Sequence, residues 1–480
     1  MLALILIGGT VAGLLVLSAL RPWLGLLLLL ALMPFNGFLL DVVGPSLHLS
    51  STALTVLAGW HDALAGGVIV AAAVRWTRGK SFRLNLVEWA AVVVLAFGAI
   101  SLVISPHLAT GLYAYRTLYE PIVLAMAIAI LARTSELATH LPSRYALAMV
   151  CSGTAAALFA IWQVYGAGFH YVVTYYKTAD GRLPAAYFSA FILQPRAFGP
   201  FHSPNEFGAF LVIALIVIAT PGLVLAKPVL RPWAAAVIGF VLLLSFSRSS
   251  WVSLAVATVA LLIMLPVTRV RLAGFLRAFA TWRWWRSYAP ALALLLVLCS
   301  SVAMSSGVSQ FASGTISGND PSAANHAAGL TSLLNGTILV DTGSGSDTAP
   351  TARLAPFGIG LGMAGAKSAR FDEVAATNVL NSETWYVNYL FQAGFVGLLA
   401  LIGLALTIAR ALWVRRSMPV ARAALAAAVG LAAGAVFIPV LDEPAVAIPL
   451  WALIGLGLGS NAAAAEIPLS PRTANPTGAA

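Results

Sequence analysis

Apolar residues fill this chain in blocks of about twenty, the length that crosses a bilayer as a helix. Short polar breaks separate the blocks, which predict spans at 2–20, 22–40, 54–74, 84–104, 110–132, 145–165, 206–226, 232–246, 250–268, 288–305, 387–409, 421–440 and 445–459. The Val- and Ile-rich runs lack the period-2 alternation of barrel strands, and backbone polar groups in lipid must be satisfied internally, so the blocks are read as helices. One interval breaks the pattern. From Ser306 to Tyr386 the chain is rich in Gly, Ser, Thr, Asn and Asp and has no run of spanning length. The expected fold class is an all-α polytopic membrane protein with twelve or thirteen transmembrane helices. It forms a single integral domain over 1–480, with one large loop at 306–386 and a disordered Ala-, Pro- and Thr-rich tail at 460–480. The first span lacks a basic leader and a cleavage site, so it is expected to be a retained helix.

Composition agrees: of 480 residues, 60% are hydrophobic and only 9% charged, where a soluble domain has about 25% charged. The net charge of +11 would suit nucleic acid, but its placement points to a membrane instead. Nineteen of the 27 Lys and Arg residues fall on one side of the predicted bundle, which the positive-inside rule makes cytoplasmic. The large loop is then expected to face outward, with the N-terminus outside and the C-terminus inside. Arg269 to Arg286, with Trp282, Trp284 and Trp285, reads as a cytoplasmic interfacial helix. Cys151 and Cys299 lie in apolar runs and imply neither a disulfide framework nor a metal site.

The eight basic residues on the other side carry the information: Arg116, Lys177, Arg182, Arg196, Arg248, Arg353, Lys367 and Arg370. Charges at the membrane edge need a partner or a role. Arg116 stands four residues before Glu120, which makes an i,i+4 ion pair its simplest explanation. Arg196 opens RAFGPFHSPNEFGAF, a turn followed by a helix that Ser203 or Asn205 can cap. An arginine beside a helix N-terminus makes an anion site. Arg248 lies in the tight turn SFSRSSW and should point into a polar cavity or reach headgroups. Arg353 precedes PFGIGLG, where glycines let backbone N–H groups approach a phosphate or sugar. In NSETWYVNYLFQAGFVG, Glu383, Tyr386, Leu390, Gly394 and Gly397 share one helical face, and the glycines permit close packing.

Taken in order, RAFGPFHSPNEFGAF, SFSRSSW, a large loop with TARLAPFGIGLG, and ETWYVNYLFQAGFVG resemble the O-antigen ligase/polymerase superfamily over roughly residues 196–400. The resemblance implies a metal-independent, cofactor-free glycosyltransferase of GT-C-like architecture in the bacterial cytoplasmic membrane, acting on its outer face. It implies that Arg196, Arg248 and Arg353, with Arg116 a looser match, bind the diphosphate of a polyprenyl-linked oligosaccharide. Asn205 and Tyr386 would then help to position the substrate. Family ligases carry a His eleven residues before the first Gly of the GxxG pair; here that position holds Glu383. The chain therefore resembles the relatives that polymerise repeat units, with Glu383 as general base, Arg353 at the reacting phosphate and a chain-length regulator as a possible partner. A ligase transferring glycan to lipid A-core or protein stays as an alternative. A transporter or flippase is the remote one, for which Asp62 and Glu88 are the acidic candidates within spans.

Overall fold

The computed structural model describes residues 2–78, 84–134, 140–176, 188–189, 192–223, 230–265, 338–341, 346–349, 356–364 and 384–460. Its first half contains α1 (Leu2–Leu20), α2 (Pro22–Leu32, running on through 3-10 and π turns to Ser46), α3 (Ser51–Ala58), α4 (Trp60–Arg78), α5 (Leu86–Ile104), α6 (Leu108–Thr134), α7 (Leu141–Ile161, extended by a π turn to Ala167) and α8 (Gly168–Tyr175). Then follow α9 (Pro204–Ala219), α10 (Leu230–Leu244), α11 (Arg248–Met264), α12 (Trp385–Val414), α13 (Pro419–Gly434) and α14 (Pro444–Gly459). Two short antiparallel hairpins lie between helices: β1 (Phe188–Ser189) with β2 (Ile192–Pro195), and β3 (Ile338–Asp341) with β4 (Ser346–Ala349).

The protein is a polytopic α-helical membrane protein. Seven helical segments are long and apolar enough to span a bilayer, and five further apolar helices of 15–17 residues run among them. Twelve of the thirteen predicted spans therefore coincide with helices; 288–305 lies outside the described residues. The interfacial helix expected at 269–286 and the tail at 461–480 lie outside them too. Two helices stop earlier than predicted. α9 ends at Ala219 because a turn follows it, with Gly222 at φ 82°, and α13 ends at Gly434 before a loop that runs to Glu443.

Two of the shorter helices are interior. In α14, 13 of 16 residues are buried, and in α9, 12 of 16, so both are apolar all round as a central helix must be. Glycines set their approach: Gly455 and Gly459 seat α14 on Ala125 and Ala129 of α6, while Gly430 and Gly434 seat α13 on Ser253 of α11. Ile5, Val103 and Ile263, on α1, α5 and α11, are 59%, 85% and 67% exposed, as residues facing lipid tails would be. Among the described residues charge is segregated. One end of the bundle holds Arg21, Arg75, Arg78, Arg133, Arg144, Arg231, Arg410, Arg415, Arg416 and Arg422 with the single acid Glu88, which takes a 2.7 Å bond from Arg133. The other end, called here the site end, holds Arg116, Arg196 and Arg248.

α12 is not one straight helix. Gly394 has φ 69° and ψ 179°, so the nine residues Trp385–Ala393 form a separate piece that turns away from the long span below. The single glycine-bearing helical face expected from the sequence is thus broken at Gly394. A Cβ there would overlap the Pro356 carbonyl and the Gly358 amide, because the segment 356–364 threads between this kink and the ends of α5 and α6. Three of its amides have acceptors in the protein: Ile359 donates to Phe391 O at 2.8 Å, Leu361 to Ser101 O at 3.2 Å and Gly362 to Gln392 Oε1 at 2.8 Å. Gly360 and Gly362, at φ 106° and 78°, press on Ser105 and Thr110. The glycines expected to cradle a phosphate instead let this strap lie against the helices.

Gly394→Ala is expected to lower the unfolding free energy by about 1–3 kcal/mol from backbone strain alone. Gly403→Ala, at a helical position with nothing within 4 Å of the added Cβ, should be neutral or stabilising by up to about 1 kcal/mol. Thermal or SDS unfolding of the two purified variants checks the contrast.

Candidate functional site

The site end is built around the turn 196–203, which the sequence makes with Gly199 and Pro200. Gly199 adopts φ 55° and has Phe207 and the Ala156 carbonyl where a Cβ would point. Four anchors from three helices hold the turn. Ala197 N–H donates to Leu244 O at 3.0 Å, at the end of α10. The amides of Phe198 and Gly199 donate to Gln163 Oε1 at 3.3 and 2.9 Å, from the π turn of α7. Pro200 O accepts from Phe38 N–H at 2.9 Å, from the far end of α2. A π turn at a polar residue in an apolar helix is a frequent mark of function.

Arg196 is consequently held rigid. Its Nε donates to Ser245 O at 2.9 Å, and one terminal nitrogen donates to Asn205 Oδ1 at 2.9 Å and to Phe246 O at 3.4 Å. Asn205 was one of two capping candidates, but Ser203 takes that place, accepting from Glu206 N–H at 3.3 Å. Asn205 is left to orient the guanidinium. Phe246 has φ 48°, a strained conformation for a bulky residue. Arg248 is the first residue of α11, partly buried, beside a hydroxyl cluster in which Ser247 Oγ lies 3.2 Å from Ser249 Oγ and 2.8 Å from Ser250 Oγ. Burial pushes the Arg196 pKa down to about 10 and the neighbouring Arg248 charge adds to the shift, which leaves Arg196 a cation at neutral pH. Two guanidinium groups thus share one corner of the bundle.

Arg116 is in a different position. Its Nε lies 3.1 Å from Asp62 Oδ1 and 4.0 Å from Glu120 Oε2, with the guanidinium 5.4 Å from the Tyr113 ring centroid. The i,i+4 pairing with Glu120 is real but the longer of the two; the nearer partner is Asp62 on α4. His61 Nδ1 lies 3.1 Å from the same Asp62 oxygen. Two carboxylates therefore already answer this arginine. Glu88, the second acid weighed for a transporter, closes a capping box with Asn85 and pairs with Arg133.

The His202–Asp41 pair was not among the expected site residues; its Nδ1 and Oδ2 are 2.6 Å apart and join the Arg196 turn to the end of α2. Burial opposes the charged imidazole, yet the Asp41 hydrogen bond and the charges of Asp41, Glu206 and Glu443 prevail and raise the His202 pKa. Asp41, alone in GFLLDVVGP, was the available signal, as was Gln163, alone in ALFAIWQVYGAG.

An apolar cavity of 340 Å³ opens below this rim between α6, α12, α13 and α14. Its upper wall is aromatic: Trp385 stacks on Tyr389 at 5.2 Å, Tyr389 OH meets Tyr119 OH at 3.2 Å, and Tyr386 donates to Ala432 O at 2.8 Å. Trp385 N–H donates to Ala435 O at 3.0 Å, and Gly434 before it packs on Ser249 and Ser253 of α11. The start of α11, with Arg248, and the mouth of the cavity are thereby stitched to the same end of α13. Arg353 and Glu383 lie outside the described residues. No protein-family model matches this chain, and no curated protein or solved structure matches it.

The raised His202 pKa has a definite sign. The Asp41–His202 pair contributes stability in full below the unfolded histidine pKa of about 6.5 and loses it as pH rises through the higher folded value. Asp41→Asn is expected to flatten that part of the profile, as read by the unfolding midpoint of both proteins against pH.

Proposed function

We propose that this protein is a GT-C-like membrane glycosyltransferase that polymerises oligosaccharide repeat units carried on a polyprenyl diphosphate, working at the membrane face opposite its Arg-rich end. The observation that carries the reading is the Arg196–Arg248 pair, held at the same end of the bundle as the aromatic mouth of a membrane-embedded apolar cavity, with α13 between them. A polyprenyl diphosphate needs both parts: cations for its diphosphate and an apolar channel for its tail. Guanidinium forks suit phosphate oxygens. Ser245 O, Asn205 Oδ1 and Phe246 O accept from Arg196 and hold its direction.

In the proposed reaction the hydroxyl oxygen of the acceptor sugar attacks the anomeric carbon of the donor. The bond from that carbon to the phosphate oxygen breaks, and its electron pair leaves with the diphosphate. Arg196 and Arg248, with Arg353, stabilise the charge that develops there. The hydroxyl proton passes to a carboxylate within hydrogen-bond reach, a role for which Glu383 remains the candidate. Asn205 acts by aiming Arg196. Tyr386 acts by holding the mouth of the cavity against α13. Arg116, paired with Asp62 at 3.1 Å, is given a structural role in this reading.

A transporter is the second reading. Alternating-access carriers place ionisable groups near the bilayer midplane, and Asp62, Arg116 and Glu120 meet inside the spans Ser51–Arg78 and Leu108–Arg133, whereas Glu88 stands in the first turn of α5 and pairs with Arg133.

Reconstitution with the lipid-diphosphate oligosaccharide alone should yield a ladder of lengthened glycans. Arg196→Gln or Arg248→Gln should each reduce transfer by about 10²–10³-fold, whereas Arg116→Gln should act on stability more than on turnover. Transfer seen only after a distinct acceptor is added would make the protein a ligase, and no transfer under either condition would refute the enzyme reading. Normal ladders from Glu383→Gln at equal abundance would remove that residue from the chemistry.

A further inference from the structure

A second groove of 520 Å³ lies at the Arg-rich end of the bundle, between α11, α12 and α13. Ala260, Ile263 and Met264 of α11 form one wall, and Ala409, Arg410 and Trp413 of α12 the other. Its volume falls within the range of about 300–1,000 Å³ usual for small-molecule sites. It meets the first cavity at Leu406, Ala409, Leu425 and Val429, so the two form a trough along most of α12.

Three features identify its occupant. The groove opens sideways: Leu262, Ile263 and Leu406 around it are 56%, 67% and 66% exposed on a face that the spanning assignment gives to lipid. Arg410 is the one charged residue in an otherwise apolar lining, and it stands at the end of the groove, where the hydrocarbon layer finishes. Among the described residues the charge at this end is also one-sided. Arg415 and Arg416 follow within two turns, with Arg415 bonded to Ala411 O at 3.2 Å and Arg416 to Trp413 O at 3.1 Å. The Arg416 guanidinium lies 4.9 Å from the Trp413 ring centroid. Among the described residues the only acid at this end is Glu88, which Arg133 occupies.

We infer that this groove binds an anionic glycerophospholipid, its phosphodiester at Arg410 and Trp413 and its acyl chains lying between α11 and α12. Trp at the interface and Arg beside an interhelical cleft are the groups that hold such headgroups. A water-soluble anion would find no apolar partner cost-free along the rest of the groove, and a zwitterionic lipid would leave the arginine charge unanswered. The site is separate from the Arg196–Arg248 rim and does not rest on the glycosyltransferase reading.

The test uses the full chain in vesicles containing either dibromo-acyl phosphatidylglycerol or dibromo-acyl phosphatidylcholine. The Trp413 signal is isolated by subtracting the emission of Trp413→Phe. Half-maximal quenching of Trp413 should need about five-fold less of the anionic lipid, the preference expected from one arginine at a membrane surface. Arg410→Gln should bring the two lipids level, and Arg410→Lys should keep the preference. Equal quenching by both lipids in the parent protein would overturn the inference. So would no quenching of Trp413 by either, which would mean that protein covers the groove.

Discussion

A guanidinium at the end of an apolar bundle must have its donors answered by protein, and the site end of this molecule is arranged around that need. Arg196 takes carbonyls from the α10–α11 turn and the side chain of Asn205 at the start of α9. Those carbonyls can face it because Phe246 adopts a strained backbone, and the strain persists because the surrounding turn is held by Gln163, Leu244 and Phe38. Removing any anchor would release several hydrogen bonds together, which is why α2, α7, α9, α10 and α11 end at one place.

The apolar part of the molecule creates the complementary feature. Glycines draw α13 onto α11 and α14 onto α6 until backbones nearly touch. α12 is held differently, packing mainly along α5 and clasped at Gly394 by the 356–364 strap. Close packing on one side and a kinked, strapped helix on the other leave space between α12 and α13. The trough follows from unequal helix approach. Between its aromatic mouth and the Arg410–Trp413 end, its walls are mainly Leu, Ala, Val and Ile.

Helix positions were legible because a span's length and apolarity are local properties; α5, α6 and α12 lie close to where the pattern of residues puts them. The Arg196 turn was legible for the same reason, since Pro, Gly and an N-capping Ser are local signals. Partners across helices were not. Arg116 has Glu120 on its own helix, but its nearer partner, Asp62, comes from α4, and no spacing rule connects positions 62 and 116. The 356–364 glycines misled differently: a Gly-rich turn looks alike whether a phosphate or a helix presses against it, and the contacts at Ser105, Thr110 and Gln392 decide for the helix.

The contrast among the arginines bears on what the site end can bind. A cation that meets two carboxylates, as Arg116 does, forms a closed unit; an anionic ligand would have to displace Asp62 and then face Glu120. Arg196 and Arg248 are two cations at one corner. Burial makes the Arg196 charge costly and the neighbouring Arg248 charge adds to that cost, as the depressed Arg196 pKa records. Carbonyls and the Asn205 amide can direct a guanidinium but contribute no net negative charge. Such a pair is most stable when an anion bridges it, and a diphosphate with several oxygens suits two forks better than a single carboxylate would. The same charge balance separates this end from the Arg-rich one, where the arginines are spread along helix termini and Arg410 alone turns into a groove.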